Sequence, residues 1–100
     1  MTCEIFTYYK IAPEKEPEYV AASNKLKSFF MEFPDCISYR IYRSLDEERK
    51  HTWMEWGEFS SREDFENIIQ QVLASDALKQ TALCIVGGME GRKTEIFTEA

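Results

Sequence analysis

The chain is short of the residues that most single-domain chemistries depend on. It has one histidine, three cysteines and four glycines among 100 residues. Cys3, Cys36 and Cys84 are odd in number and no two have C-x-x-C spacing, which excludes a disulfide framework and a cysteine zinc site. They are expected to be free, buried thiols. His51 is the lone histidine and has no positioned carboxylate beside it in sequence, so it makes a weak general base. Gly87, Gly88 and Gly91 do not form G-x-x-x-x-G-K-[ST] and do not follow a strand, which excludes a phosphate cradle. No cofactor motif and no metal-ligand cluster is present.

Positive charge is also scarce. Twelve Lys and Arg stand against eighteen Asp and Glu, a formal net charge of −6. Such a surface repels phosphate backbones and anionic lipid, so neither nucleic acid nor a membrane surface is an expected partner. No apolar run approaches the ~20 residues of a membrane span. Glu4 and Thr7 interrupt any apolar run at the start, so no signal peptide is expected. These features point to the cytoplasm.

Aromatic residues, in contrast, are plentiful: seven Phe, five Tyr and two Trp. They fall in a pattern that occurs twice. CEIFTYYKI, from Cys3 to Ile11, reads as a strand with large apolar groups on both sides. A helix follows from near Glu14 to about Phe33, carrying Tyr19, Leu26, Phe30 and Phe33 at helical spacing. Pro17 suits its first turn and Pro34 ends it. A second strand is expected over Cys36 to Ser44, a polar connection over Leu45 to Lys50 and a third strand over His51 to Phe59. In the third strand, Thr52, Met54 and Trp56 point one way; His51, Trp53 and Glu55 point the other. A second helix starts at Ser60 or Ser61, Ser60 with Glu63 fitting a capping box, and bears Phe65, Ile68, Ile69, Val72 and Leu73, of which Phe65, Ile69 and Leu73 are expected to be buried. Ser75-Asp76 can cap a short third helix over Ala77 to Val86, closed by Gly87-Gly88. Thr94 to Phe97 makes a last strand.

The order β-α-β-β-α-(α)-β defines an α+β chain of one domain over residues 1–100, a ferredoxin-like βαββαβ protomer with an extra short helix before the last strand. Such a sheet has one face without helices. Strands one and three carry large apolar groups on both faces, so the uncovered face is too apolar to stay in water. A second copy of the same sheet is the simplest cover, which predicts a homodimer.

This combination resembles the dimeric α/β-barrel superfamily, whose ferredoxin-like protomers pair sheet to sheet and many of whose members are antibiotic-biosynthesis-monooxygenase-like. The resemblance rests on Trp56, Ser60, Phe65, Ser75, Leu78 and the strand at Thr94 to Phe97. YYKIA at Tyr8 to Ala12, YRSLDEERKHTWMEW at Tyr42 to Trp56 and IVGGMEGRKTEIF at Ile85 to Phe97 are similar to a family of small uncharacterised bacterial proteins, which implies fold and no activity. Haem-degrading members of the superfamily use an Asn on strand one, a Trp on strand three and a helical His. Trp56 matches the Trp, but Thr7 and Tyr8 stand where the Asn would be. Lys79, Gln80 and Thr81 offer no His, so haem is not implied.

The resemblance implies a ligand pocket between sheet and helices, bordered by Trp56. Trp56 also has an indole N–H that needs a partner when buried, with Thr7 and Tyr8 as polar neighbours or a backbone carbonyl as the alternative. Tyr8, Arg40, Tyr42, Trp53 and Glu55 would share a region if the strand registers cooperate, with Arg40 holding an anionic group. Trp56, Tyr8, Thr7, Arg40 and His51 are therefore the candidate ligand-binding residues. Two functions fit: a non-catalytic dimer, either structural or binding a small aromatic ligand, or a cofactor-independent monooxygenase or isomerase acting on a small aromatic substrate.

Overall fold

Two of the three strand pairings join segments distant in the chain, and these pairings set the architecture. The computed structural model describes residues 1–100. Its main elements are β1 (Cys3–Lys10), α1 (Glu16–Met31), β2 (Cys36–Arg43), β3 (Thr52–Phe59), α2 (Arg62–Leu73), α3 (Asp76–Ala82) and β4 (Lys93–Phe97). The strands form one antiparallel sheet in the order β2-β3-β1-β4. This is the expected ferredoxin-like protomer, with α3 as the extra short helix before the last strand.

Local chemistry explains most boundaries. Pro13 opens a single 3-10 turn over Pro13–Lys15, so α1 begins only at Glu16, with Pro17 in its first turn. The cap of α2 sits one residue later than the Ser60–Glu63 box. Ser61 Oγ accepts from the Asp64 backbone N–H at 3.1 Å and donates to Asp64 Oδ2 at 2.8 Å. Ser60 is occupied elsewhere, its backbone N–H donating to the Asp35 carbonyl at 2.9 Å. Ser75 caps α3, as expected, by accepting from the Leu78 N–H at 3.2 Å. However, α3 stops at Ala82, short of Val86. The next residues extend the sheet instead: Ile85 bridges Ile11, and the Val86 N–H donates to the Lys10 carbonyl at 2.9 Å. A long-range pairing overrides local helix propensity there.

Alternation along the strands sorts residues between two faces. Cys3, Ile5, Thr7 and Tyr9 of β1 are buried toward the helices. Tyr39 and Phe59 meet Leu26 and Phe30 of α1 and Phe65, Ile68 and Val72 of α2 in the main core. Phe30 stacks on Tyr39 with ring centroids 4.0 Å apart. The buried stripe of α2 is thus rotated from the expected Phe65, Ile69 and Leu73. Ile69 is only partly buried and Leu73 is 47% exposed. All five apolar positions lie within one helical face, and only docking against sheet and α3 selects the innermost ones. Ile68→Ala should therefore cost about 2–5 kcal/mol, the range for a large-to-small change in a packed core. Leu73→Ala should cost less than about 1 kcal/mol, as half-exposed sites do. Urea unfolding of the two variants checks the face assignment, and equal losses would contradict it.

The three cysteines are free and buried. Burial raises all three thiols, that of Cys36 to about 11. They behave as small apolar side chains rather than as nucleophiles.

The other face of the sheet carries no helix. Phe6 stacks on Trp56 at 5.4 Å between centroids, Phe97 meets Phe6 edge-on at 5.5 Å, and Arg40 lies over the Trp56 ring at 5.9 Å. Tyr8, Tyr42 and Phe97 of this face are 40%, 40% and 51% exposed. This is the apolar open face expected from the two-sided strands.

Candidate functional site: a buried carboxylate network beside a cavity

Period-two alternation brings an unusual residue inward. Glu55 of β3 pairs in register with Thr7 of β1 and Ile41 of β2, on the helix-facing side, and is 1% exposed. A carboxylate at such depth is tolerable only if its oxygens are matched by donors. Four donors reach it. The Tyr9 hydroxyl donates to Oε2 at 2.5 Å, and the Tyr39 hydroxyl donates to Oε1. Arg92 supplies a forked pair, Nη1 to Oε2 at 2.7 Å and Nη2 to Oε1 at 3.3 Å. The Tyr9 hydroxyl lies 2.7 Å from that of Tyr19. Since the one proton of Tyr9 is committed to Glu55, Tyr19 donates to Tyr9. The result is a relay of donors ending at a single anion.

Two glycines make the network possible. Gly57 lies directly across from Tyr39, and a Cβ there would stand 2.7 Å from the Phe59 ring and 2.9 Å from that of Tyr39. Its absence lets the Tyr39 ring lie across the strand and reach Glu55. Gly87, at φ 86°, adopts a left-handed conformation that L side chains avoid, turning the chain after α3 so that it returns with Arg92 beside the sheet.

The electrostatics follow from burial. Removal from water raises the Tyr9 and Tyr39 hydroxyls far above their ordinary range, and the Glu55 charge raises them further. Burial alone would lower the Arg92 guanidinium, but the Glu55 carboxylate outweighs it and holds the cation above its ordinary value. All three donor residues therefore keep their protons at every physiological pH.

Beside this network lies a cavity of about 210 Å³ between sheet and helices. Its sheet side is Ile5, Thr7, Tyr39, Phe59 and Thr94; its helix side is Phe30, Phe65, Ile69, Leu73 and Leu78. Met89 and Arg92 close it from the loop before β4. Its polar lining residues cluster around Glu55: Arg92 and Tyr39 are bonded to that carboxylate, and Thr7, in register with it, bonds Thr94 hydroxyl to hydroxyl at 3.0 Å.

The candidate residues from sequence divide between two faces. Thr7 lines the cavity. Trp56 does not border it; it lies on the open face, where its indole N–H donates to Glu4 Oε1 at 3.2 Å. Tyr8 and Arg40 lie on that same face, in register with Met54 and Trp56. The registers therefore separate Tyr8, Arg40 and Tyr42 from Trp53 and Glu55, because one residue's offset along a strand reverses the face. His51 stands outside the cavity just before β3, with Nδ1 3.3 Å from Glu16 Oε2. No pattern along the chain groups Glu55, Tyr9, Tyr19, Tyr39 and Arg92. The one available signal is a charged residue alternating onto the same side as Trp53.

Comparison with solved structures places this fold. One match is a protein from Bordetella bronchiseptica assigned as an antibiotic biosynthesis monooxygenase, with a TM-score of 0.80, 13% identity and coverage of 99% of this chain and 97% of that one. Another is SnoaB, a cofactor-independent oxygenase from Streptomyces nogalater, seen as a point mutant, with a TM-score of 0.79, 9% identity and coverage of 98% and 92%. A third is a dimeric ferredoxin-like protein of unknown function from Jannaschia sp. CCS1, with a TM-score of 0.76, 10% identity and coverage of 99% and 100%. The chain shares the ferredoxin-like fold of these three proteins. No protein-family profile and no curated protein matches its sequence.

Proposed function

We propose that the protein is a small-molecule-binding homodimer whose cavity takes one aromatic ring carrying an oxygen acceptor. The observation that carries this reading is the asymmetry of the cavity. Its walls are mostly apolar, four of its twelve lining residues are aromatic, and its polar side chains, Thr7, Thr94, Tyr39 and Arg92, cluster around Glu55, with Arg92 N–H groups left over as donors. Such a pocket orients a ligand through few polar contacts while burying an apolar body. A volume of about 210 Å³ exceeds the ~150 Å³ of an apolar cavity that binds benzene, leaving room for a substituent. The Arg92 charge is matched by Glu55, so a neutral phenol or ketone suits the site better than a carboxylate.

Glu55 already accepts from four donors, which leaves it no free lone pair for a substrate proton. That favours binding over base catalysis. The second reading is a cofactor-independent monooxygenase or isomerase acting on a small aromatic substrate. It is supported by the N–H groups of Arg92 not bonded to Glu55, which could stabilise an enolate or phenolate oxygen, and by the fold shared with the Streptomyces nogalater oxygenase. That likeness extends to fold alone.

In this reading the 100 residues act as one domain and pair sheet to sheet as a dimeric α/β barrel. The uncovered Phe6–Trp56–Phe97 cluster and the dimeric description of the Jannaschia protein support the pairing. Three unpaired thiols suit a reducing cytoplasm. No helix is long and apolar enough to cross a membrane.

Amide chemical shifts on titration with phenol and with benzoate test the binding reading. Phenol should shift Thr7, Tyr39 and Thr94 saturably. Benzoate should bind at least about tenfold more weakly, because its charge is desolvated without a free cation. Shifts confined to residues around Trp56 would count against the cavity. Turnover of an aromatic substrate with oxygen uptake would move the assignment to the second reading.

A further inference from the structure

We propose that the natural ligand is amphipathic: an aromatic head seated in the inner cavity and an aliphatic chain that runs outward along α3. This deepens the cavity reading above and rests on it. A second depression of about 550 Å³ lies against α3 and the loop after it. Leu73, Leu78 and Met89 line both spaces, so only aliphatic side chains stand between them. Met89, unbranched and with three rotatable bonds, can swing aside at little cost.

The two spaces differ in chemistry. The inner cavity has four aromatic walls, Phe30, Tyr39, Phe59 and Phe65, and all of the clustered donors. The outer depression adds Ala82 and Leu83, no aromatic group, and one charged residue, Lys79. Flat, polar-tipped groups suit the first and methylene chains the second. The exposure of the outer wall supports the same conclusion. Leu83, Leu73 and Met89 are 71%, 47% and 46% exposed, side by side. Apolar groups gathered at the mouth of a cavity are more economically explained as a ligand surface than as scattered surface residues. The two spaces share Leu73, Leu78 and Met89 as a common wall, so displacement of Met89 would let a single molecule occupy both.

A homologous series tests this. The probes are phenol and its 4-ethyl, 4-butyl and 4-hexyl derivatives, titrated into the full-length protein by calorimetry, with hexanoate alongside. The dissociation constant should fall about two- to fourfold per added methylene, fourfold being the limit for a methylene wholly removed from water. Leu83→Asp, at an exposed position, should flatten that series while leaving the phenol constant within about twofold, since single exposed substitutions act locally. Uniform affinity along the series would overturn the inference while leaving phenol binding intact. A slope that persists unchanged in Leu83→Asp would overturn it as well, because the chain would then lie elsewhere. Hexanoate binding more tightly than hexylphenol, and losing that affinity in Lys79→Ala, would reverse the orientation and overturn it too. If no member of the series binds, the cavity reading falls together with the inference.

Discussion

Arg92→Met should destabilise the protein by about 3–5 kcal/mol, the cost of removing one partner from a buried ion pair. The size of the effect comes from where Glu55 sits. Its side chain is 1% exposed and that of Arg92 is 10% exposed, so water cannot replace the lost guanidinium. The two tyrosine hydroxyls remain, but hydrogen bonds without a counter-charge leave the anion unbalanced. Arg92→Lys should recover only part of the loss, because an ammonium group cannot fork across both carboxylate oxygens. Adding Glu55→Gln to Arg92→Met should return stability rather than cost more, since it removes the stranded charge and keeps an acceptor for a tyrosine. Urea unfolding of the three variants reads all of these outcomes. A loss below about 1 kcal/mol for Arg92→Met would place the pair among solvent-screened surface bridges instead.

Trp56→Glu should abolish the proposed sheet-to-sheet pairing and leave a monomer. Trp56 lies in the middle of the uncovered face, stacked on Phe6 and beside Tyr42 and Arg40. A two-fold axis places each substitution in the interface twice. A tryptophan at an interface centre contributes about 2 kcal/mol or more, so two copies weaken association at least about a thousandfold. The new carboxylate also stands near Glu4, which accepts the indole N–H in the native chain, and so adds repulsion. Helix content should be unaffected, because no helix touches this face. Sedimentation at micromolar concentration distinguishes the outcomes: a dimer for the native chain and a folded monomer for the variant. A native chain that sediments as a monomer would remove the pairing, and with it the explanation for the open face.

Several features were legible in the residues alone because they depend on short-range rules. Aromatic-rich apolar runs set the strands, helical spacing set α1 and α2, and proline and serine marked their ends. The element order then left the ferredoxin-like fold as the reading, and the two-sided strands marked a face needing cover. The errors occur where one residue's offset decides the outcome. Ser61 rather than Ser60 caps α2, because Ser60 is held by Asp35 across the fold. Ile68 and Val72 rather than Ile69 and Leu73 are buried, because the sheet and α3 choose among equivalent helix positions.

Beyond Thr7, tertiary structure decided which residues meet at the candidate site. Trp56 and Glu55 are adjacent in sequence, yet strand alternation sends one to the open face and the other to the interior. Arg92 is 37 residues from Glu55 and reaches it only through a glycine turn whose geometry no periodicity encodes. Tyr9, Tyr19 and Tyr39 converge from β1, α1 and β2. Patterns along a chain report which side a residue faces. They do not report which residues on that side meet, because that depends on strand register and helix docking, both fixed by packing between segments far apart in sequence.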